Sequence, residues 1–241
     1  FAQVMHQVTK YVIRLTPYGV YALIAAMASR YGFETLAPLV KLVLATYAAL
    51  LIHFVVTFGG LVSLVAKVNP VKFFRKAYPT IAVAFTTRSS YATLPVNLEV
   101  ITKRLRVSQR IASFVAPLGA TMNMNGCGGV WPAVVAVFVA RVFNIPLSVS
   151  DCILIVLVSM ISSIGVAGVP GPASISTTVV LTALGLPLQG IGLVLAIDAI
   201  VDMGRTAVNA TGTTVCSLLV AQSEGEFDRE SFNRDEEDQL E

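Results

Sequence analysis

Asp198, Asp202, Arg205, Thr206 and Asn209 follow one another at spacings of four, three, one and three residues. At about 100° per residue on a helix they fall within a sector of roughly 60–100°, so they form one polar stripe. The sequence around them is apolar, with no charged residue from Cys152 to Ile197 or from Thr206 to Ser223. Ionisable side chains in such a helix are costly and point to function. A carboxylate such as Asp202 attracts an ammonium group, and a guanidinium such as Arg205 takes a carboxylate through two parallel hydrogen bonds. A pair that only neutralised itself would leave Thr206 and Asn209 on the same face unexplained. Two carboxylates beside an arginine with no nucleophile nearby do not describe an enzyme.

A second cluster is Asn123-Met124-Asn125-Gly126-Cys127-Gly128-Gly129. Adjacent glycines in an apolar helix invite unwinding, which frees carbonyl oxygens for a desolvated cation. Ser89 and Ser90 on one side and Gly168-Val169-Pro170-Gly171 on the other form turns, where helix N-termini offer free N–H groups to a carboxylate. Gly168 to Ser174 lacks the Gly-Lys-Ser/Thr ending of a phosphate loop. His53, alone in an apolar run, reads as a packed or hydrogen-bonded helix histidine rather than a proton relay. Cys127, Cys152 and Cys216 lie in apolar sequence and read as buried small hydrophobes, not as a disulfide or metal site.

The elements that position these residues are membrane helices. Hydrophobic residues make up 55% of the 241-residue chain and charged residues only 13%, against roughly a quarter charged in a soluble domain. Tyr11–Ser29, Leu36–Ala66, Ile111–Ala140 and Gly190–Val220 are apolar runs of spanning length, near the ~20 residues a bilayer requires. Val71–Phe85 with Tyr91–Ile101, and Cys152–Ile164 with Ala173–Leu184, are too short to cross. At about 1.5 Å per residue, a dozen residues reach roughly half the hydrocarbon core. Each pair is expected to enter the membrane and turn back, its tip shielded from lipid. Lys67, Lys72, Arg75, Lys76 and Lys103, Arg104, Arg106, Arg110 form basic loops, which face the cytoplasm by the positive-inside rule. The first hairpin then dips in from the cytoplasm and the second from outside, an inverted repeat whose tips meet near the midplane. The net charge of +3 is too small to argue for nucleic acid. A chain that begins at Phe1 reads as a truncation, and residues from 223 onward read as a solvated tail.

Four motifs carry a family resemblance: Thr87-Arg88-Ser89-Ser90-Tyr91-Ala92-Thr93-Leu94-Pro95, the run from Pro117 to Gly126, the run from Ser162 to Gly171, and Asp202-Met203-Gly204-Arg205-Thr206-Ala207-Val208-Asn209. In this order they resemble the dicarboxylate/amino acid:cation symporters, the sodium:dicarboxylate symporter family that includes the glutamate transporters. The resemblance implies an all-α membrane protein with two re-entrant hairpins, a homotrimer in the full-length protein, and an elevator mechanism in a multi-pass plasma or inner membrane protein. It divides the chain into a scaffold helix at 1–34, a transport domain at 35–222 and a polar cytoplasmic tail at 223–241. Within the transport domain it places the inner hairpin at 71–101, a spanning helix at 108–143, the outer hairpin at 150–186 and a spanning helix at 190–220.

By motif position, the resemblance gives the substrate Arg88, Ser89, Ser90, Met124, Cys127, Val169, Ala173, Asp202, Arg205, Thr206 and Asn209. Ser90 and Val169 would take the α-carboxylate, Asp202 and Asn209 the amino group, and Arg205 the side-chain end. Sodium would meet Gly119, Asn123 and Asn209 at one site, and Thr121, Ser163, Ile164 and Val166 at another. Asn125 and Thr213 stand where the family places carboxylates, so two anionic sodium ligands are neutral here, and a neutral oxygen binds sodium more weakly. The Asn125-Gly126-Cys127 pattern looks more like the cystine-transporting branch. The expectation is a symporter of L-cystine, an acidic amino acid or a dicarboxylate, coupled to sodium or protons, with an anion-conducting channel of the same fold as the alternative.

Overall fold

The computed structural model describes residues 36–165 and 173–233, together with Tyr18, Tyr21, Ala22, Ala25 and Ser29. The scaffold helix expected at 1–34 and the expected tip residues Val166 and Val169 lie outside the continuous described ranges. Among the described residues the chain is helical, and its one β-type contact is an isolated bridge between Val107 and Phe227.

Helix α1, Leu36–Ile52, continues through two wide, π-type stretches to Val65. It is long and apolar enough to cross a membrane, and most of its surface is unburied in this chain. Helix α2, Pro70–Thr87, starts at Asn69, whose side chain accepts from Val71 N and Lys72 N, with Pro70 in the first turn where its missing N–H costs nothing. It ends at Arg88, held in a left-handed conformation at φ 54°. Ser89 then caps α3, Ser90–Glu99. The turn between α2 and α3 is thus shorter than the five-residue separator read from the sequence.

Helix α4, Gln109–Met122, and α5, Trp131–Val142, make up a second candidate span with an interruption at its middle. The break falls at Asn123 (ψ 71°) and Met124 (ψ 49°), and the glycine run behind it, Asn125–Val130, is wound as a wide helical turn. Unwinding therefore occurs just before the glycines rather than at them. The glycines serve close approach instead: a Cβ on Gly126 would lie 2.5 Å from the Arg205 carbonyl oxygen, and one on Gly128 would meet the Ser163 backbone.

Helix α6, Val149–Ser163, opens on a reciprocal cap between Ser148 and Asp151, and α7 is Ala173–Ala183. The continuous helix expected over Gly190–Val220 is two helices, α8 at Gln189–Leu195 and α9 at Asp198–Ser223. The chain bends at Ala196–Ile197, and this places Asp198 in the first turn of α9.

Apolar packing forms two clusters. One joins Leu39 and Leu42 of α1 to α5, α6, α7 and α8; the other joins Phe58 and Val62 of α1 to α2, α3, α4 and the C-terminal half of α9. Helix α9 runs between them, and the buried polar residues Asp202, Arg205, Thr206 and Asn209 sit on it between the two clusters. Apolar side chains on the outer faces of α1 and α6, such as Leu44, Val56, Leu64, Ile153 and Val156, are exposed. This is the pattern of a protein whose outer solvent is lipid. Cys127 is buried as expected, but Cys152 and Cys216 are exposed on outer faces and are not core residues. His53 is packed edge-on against Phe58, with ring centroids 4.8 Å apart.

The segment after α9 is docked as far as Asn233 instead of being wholly solvated. Glu226 pairs with Arg110 and accepts from Ser108 Oγ, Arg229 donates to the Ala66 and Lys67 carbonyls, and Lys72 donates to the Asn233 carbonyl. Phe232, in the short helix α10 (Arg229–Asn233), is fully buried, with Lys76 Nζ 5.1 Å from its ring centroid. The segment thereby ties both basic loops to the end of α9. Hydrogen bonding from Arg110, then from Ser108, holds the Glu226 carboxyl below its usual range. A lowered carboxylate stabilises the folded state above the ordinary value, and that stabilisation is lost as pH falls through the lowered one. Replacing Phe232 with Ala is expected to destabilise this end by about 3–5 kcal/mol, the cost of removing a buried phenyl ring. The measurement is a lowered melting temperature in detergent, and an unchanged melt would show that the contact carries no stability.

Candidate substrate site on helix α9

In the third turn of α9, Arg205 is fully buried. Its Nη2 donates to Asp198 Oδ1 at 2.7 Å and to Asp202 Oδ1 at 3.0 Å. The spacing of the stripe makes this geometry, because positions three and seven residues before Arg205 lie on its face of the helix. Arg205 Cζ lies over the Trp131 ring, 4.6 Å from the ring centroid. Its Nε and Nη1 are buried without a hydrogen-bond partner. Burying such donors unpaired costs about 1–3 kcal/mol each, so the arrangement favours an acceptor arriving from outside the chain.

Asn209 stands one turn further along. Its Oδ1 accepts from Gly126 N at 2.7 Å, and its Nδ2 donates to Cys127 Sγ at 3.1 Å and Met124 Sδ at 3.3 Å. The Cys127 thiol in turn lies 3.9 Å from Asp202 Oδ1. Asn209, Cys127, Asp202, Arg205 and Asp198 therefore form one connected network across α9 and the 125–130 turn. Counted alone, its two aspartates and one arginine carry a net negative charge, which suits an ammonium group. Arg88 stands at the α2–α3 turn.

A neutral polar group lies beside this network. Asn123 Nδ2 donates to the Asn209 carbonyl at 3.1 Å and to Thr213 Oγ1 at 3.2 Å, and Thr213 Oγ1 lies 3.3 Å from the same carbonyl. The Gly119 carbonyl accepts from Asn123 N. Asn125 comes to the same place, its Nδ2 2.7 Å and the Asn123 Nδ2 2.6 Å from where a Cβ on Gly212 would stand. Gly119, Asn123, Asn125, Asn209 and Thr213 are thus gathered, and the Asn209 carbonyl is engaged by protein donors. The second set of expected cation ligands is not drawn together by hydrogen bonds among the described residues. Thr121 and Ser163 donate back to the Leu118 and Met160 carbonyls, and Ile164 is 58% exposed.

At the turns, Ser89 accepts from Ala92 N and Ser90 is buried at the start of α3. Ala173 is buried at the start of α7, and Thr206 is buried on α9. Four further residues complete the site that motif reading left out. Asp198 and Trp131 hold Arg205. Asn97 Nδ2 donates to the Ala210 carbonyl at 3.4 Å and its Oδ1 accepts from Thr214 at 2.7 Å, fixing α3 on α9. Ser176 donates to the Cys127 carbonyl at 3.0 Å and fixes α7 on the glycine turn. Asp198 was legible from its place in the stripe; the other three make contacts between elements far apart in sequence.

The model of the sodium:dicarboxylate symporter family matches residues 1–223. A protein named as an uncharacterized symporter in Haemophilus influenzae is 45% identical over 214 residues, 88% of this chain and 48% of that protein. The L-cystine uptake protein TcyP of Bacillus anthracis is 37% identical over 98% of this chain and 50% of its own length. The protein of the same name in Shouchella clausii is 38% identical over 97% of this chain and 50% of its own length. The chain spans about half the length of these curated relatives.

Proposed function

This chain belongs to the sodium:dicarboxylate symporter family, and from that premise we propose that the full protein is a secondary active symporter that takes up L-cystine. The observation that carries the reading is the buried Arg205, with Nε and Nη1 unpaired beside Asp198 and Asp202. Opposed charges held side by side suit a zwitterion, and L-cystine has an amino-acid group at each end. The Asn125-Gly126-Cys127 pattern, which resembles the cystine-transporting branch, favours cystine over aspartate or a dicarboxylate. The name of the TcyP relatives points the same way. Relatives named as symporters and uptake proteins favour a carrier over an anion-conducting channel.

In this reading Asp202 and Asn209 hold the substrate ammonium, with Thr206 beside them. Ser89, Ser90 and Val169 offer turn N–H groups to the α-carboxylate, Arg205 and Arg88 meet the far end, and Met124, Cys127 and Ala173 line the site. The α2–α3 and α6–α7 pairs act as re-entrant hairpins of a transport domain that moves as an elevator within a homotrimer. The coupling ion is sodium or a proton. Sodium at Gly119, Asn123, Asn125, Asn209 and Thr213 would have to displace the Asn123 amide from the Asn209 carbonyl and would gain no carboxylate there, which supports weak binding at that position. The second expected set, Thr121, Ser163, Ile164 and Val166, also offers only neutral oxygens.

The test is uptake by the full-length protein in proteoliposomes, with labelled cystine and aspartate each presented under a sodium gradient and under a proton gradient. Saturable cystine uptake driven by one gradient is the expected result. Sodium-driven aspartate uptake without cystine uptake would reject the substrate assignment.

A further inference from the structure

The chain has one tryptophan, and it lies on the guanidinium at the centre of the site. Trp131 is 1% exposed and Arg205 is fully buried, with Cζ 4.6 Å from the ring centroid. We propose that Trp131 is a positioning residue that sets specificity: it fixes the plane of Arg205 so that the guanidinium selects a substrate whose far end carries a carboxylate. The inference rests on the amino-acid carrier reading above.

The argument starts from how Arg205 is held. Both of its ion pairs, to Asp198 and Asp202, are made by one nitrogen, Nη2. A planar group tethered at one corner can still roll and swing about that corner, and its arm carries several rotatable bonds. The indole, over whose ring Cζ lies, limits that freedom. The attraction of a cation to an aromatic face, strongest for tryptophan and strengthened by desolvation, holds the plane against the ring. Nε and Nη1, the two donors without partners, are then presented in a fixed plane and can be met only at the rim. The two lie on different edges of the fork, so a carboxylate arriving in that plane meets one of them, Nη1 at the end or Nε at the side.

Trp131 also packs in the apolar cluster built on α5, α6, α7 and α8. A residue that only filled space would support every substrate alike. One that positions Arg205 should matter only to substrates that reach it. The informative pair is therefore L-cystine and S-methylthio-L-cysteine, which keeps the disulfide and one amino-acid end but has a methyl group in place of the other.

The experiment uses the full-length protein in proteoliposomes and measures KM and maximal rate for cystine, with S-methylthio-L-cysteine as competitor. Trp131→Leu is expected to raise the cystine KM roughly 30-fold, the size of a desolvated cation–π contact, while the maximal rate and the inhibition constant of the methyl compound stay as in wild type. Trp131→Phe, which keeps an aromatic face, should fall between the two. Because a leucine could disturb packing, Trp131 emission gives a second reading, taken as the difference between wild type and W131F. Saturating cystine should change it, and the methyl compound should not. Equal weakening of both ligands, an unchanged cystine KM, or emission indifferent to cystine would overturn the proposal alone. Absence of saturable cystine uptake by wild type would reject the cystine assignment, and this proposal with it.

Discussion

Asp202→Asn is expected to abolish uptake of every α-amino acid while leaving a folded protein. Asparagine keeps the shape, so the packing around α9 is retained and only the charge is lost. Arg205 keeps its stronger partner, Asp198 at 2.7 Å, against 3.0 Å for Asp202. What disappears is the buried negative charge, 2% exposed and linked through Cys127 to Asn209, that an ammonium group would meet. Removing one partner of a desolvated charge pair costs about 2–5 kcal/mol or more, roughly 30-fold to several-thousand-fold in affinity. The check is uptake of cystine and of shorter amino acids, beside a melting curve in detergent. Uptake at the wild-type level with normal folding would remove Asp202 from the site.

How far the sequence revealed this site depended on whether the information was local. The stripe from Asp198 to Asn209 was legible because a helical period of 3.6 is a property of the sequence itself, and the structure puts Asp198, Asp202 and Arg205 in direct contact. The interruption near Asn123 was legible for the same reason, although it was misplaced by a few residues. Glycine signals either unwinding or close approach, and only the neighbour decides which. At Gly126 that neighbour is the backbone of Arg205, more than seventy positions away. Trp131, Asn97 and Ser176 were invisible on the same grounds, since each acts on an element distant in sequence. The bend at Ala196–Ile197 has no proline or glycine to announce it. The docking of the tail through Phe232 was not legible because its acidic composition outweighed two aromatic residues, Phe227 and Phe232, that pack together at 5.6 Å.

The neutral group at Asn123, Asn125 and Thr213 was visible as a departure from a motif, and the structure adds its physical consequence. An amide donor occupies the Asn209 carbonyl that a cation would otherwise use. A sodium ion at the proposed site would have to exchange this hydrogen bond, which in the proposed function links the choice of coupling ion to Asn123 and to side chains of α9 rather than to a fixed charge.

Replacing Arg205 should have the largest effect of all, and on folding as well as transport. In Arg205→Met the aliphatic volume is kept, but Asp198 and Asp202 lose the cation between them inside an apolar helix bundle. Breaking a buried pair by removing one partner destabilises by about 3–5 kcal/mol, chiefly because the remaining charge is uncompensated. Little folded protein is expected from the single variant. Adding Asp198→Asn removes one of the two stranded charges, at the position whose side chain is 20% exposed, and leaves Asp202 able to receive an ammonium group. The double variant is therefore expected to recover a monodisperse, cooperatively melting protein that still fails to take up cystine, since the donors for the far carboxylate are gone. A double variant that folds and transports cystine would show that Arg205 serves to neutralise the aspartates and does not contact the substrate.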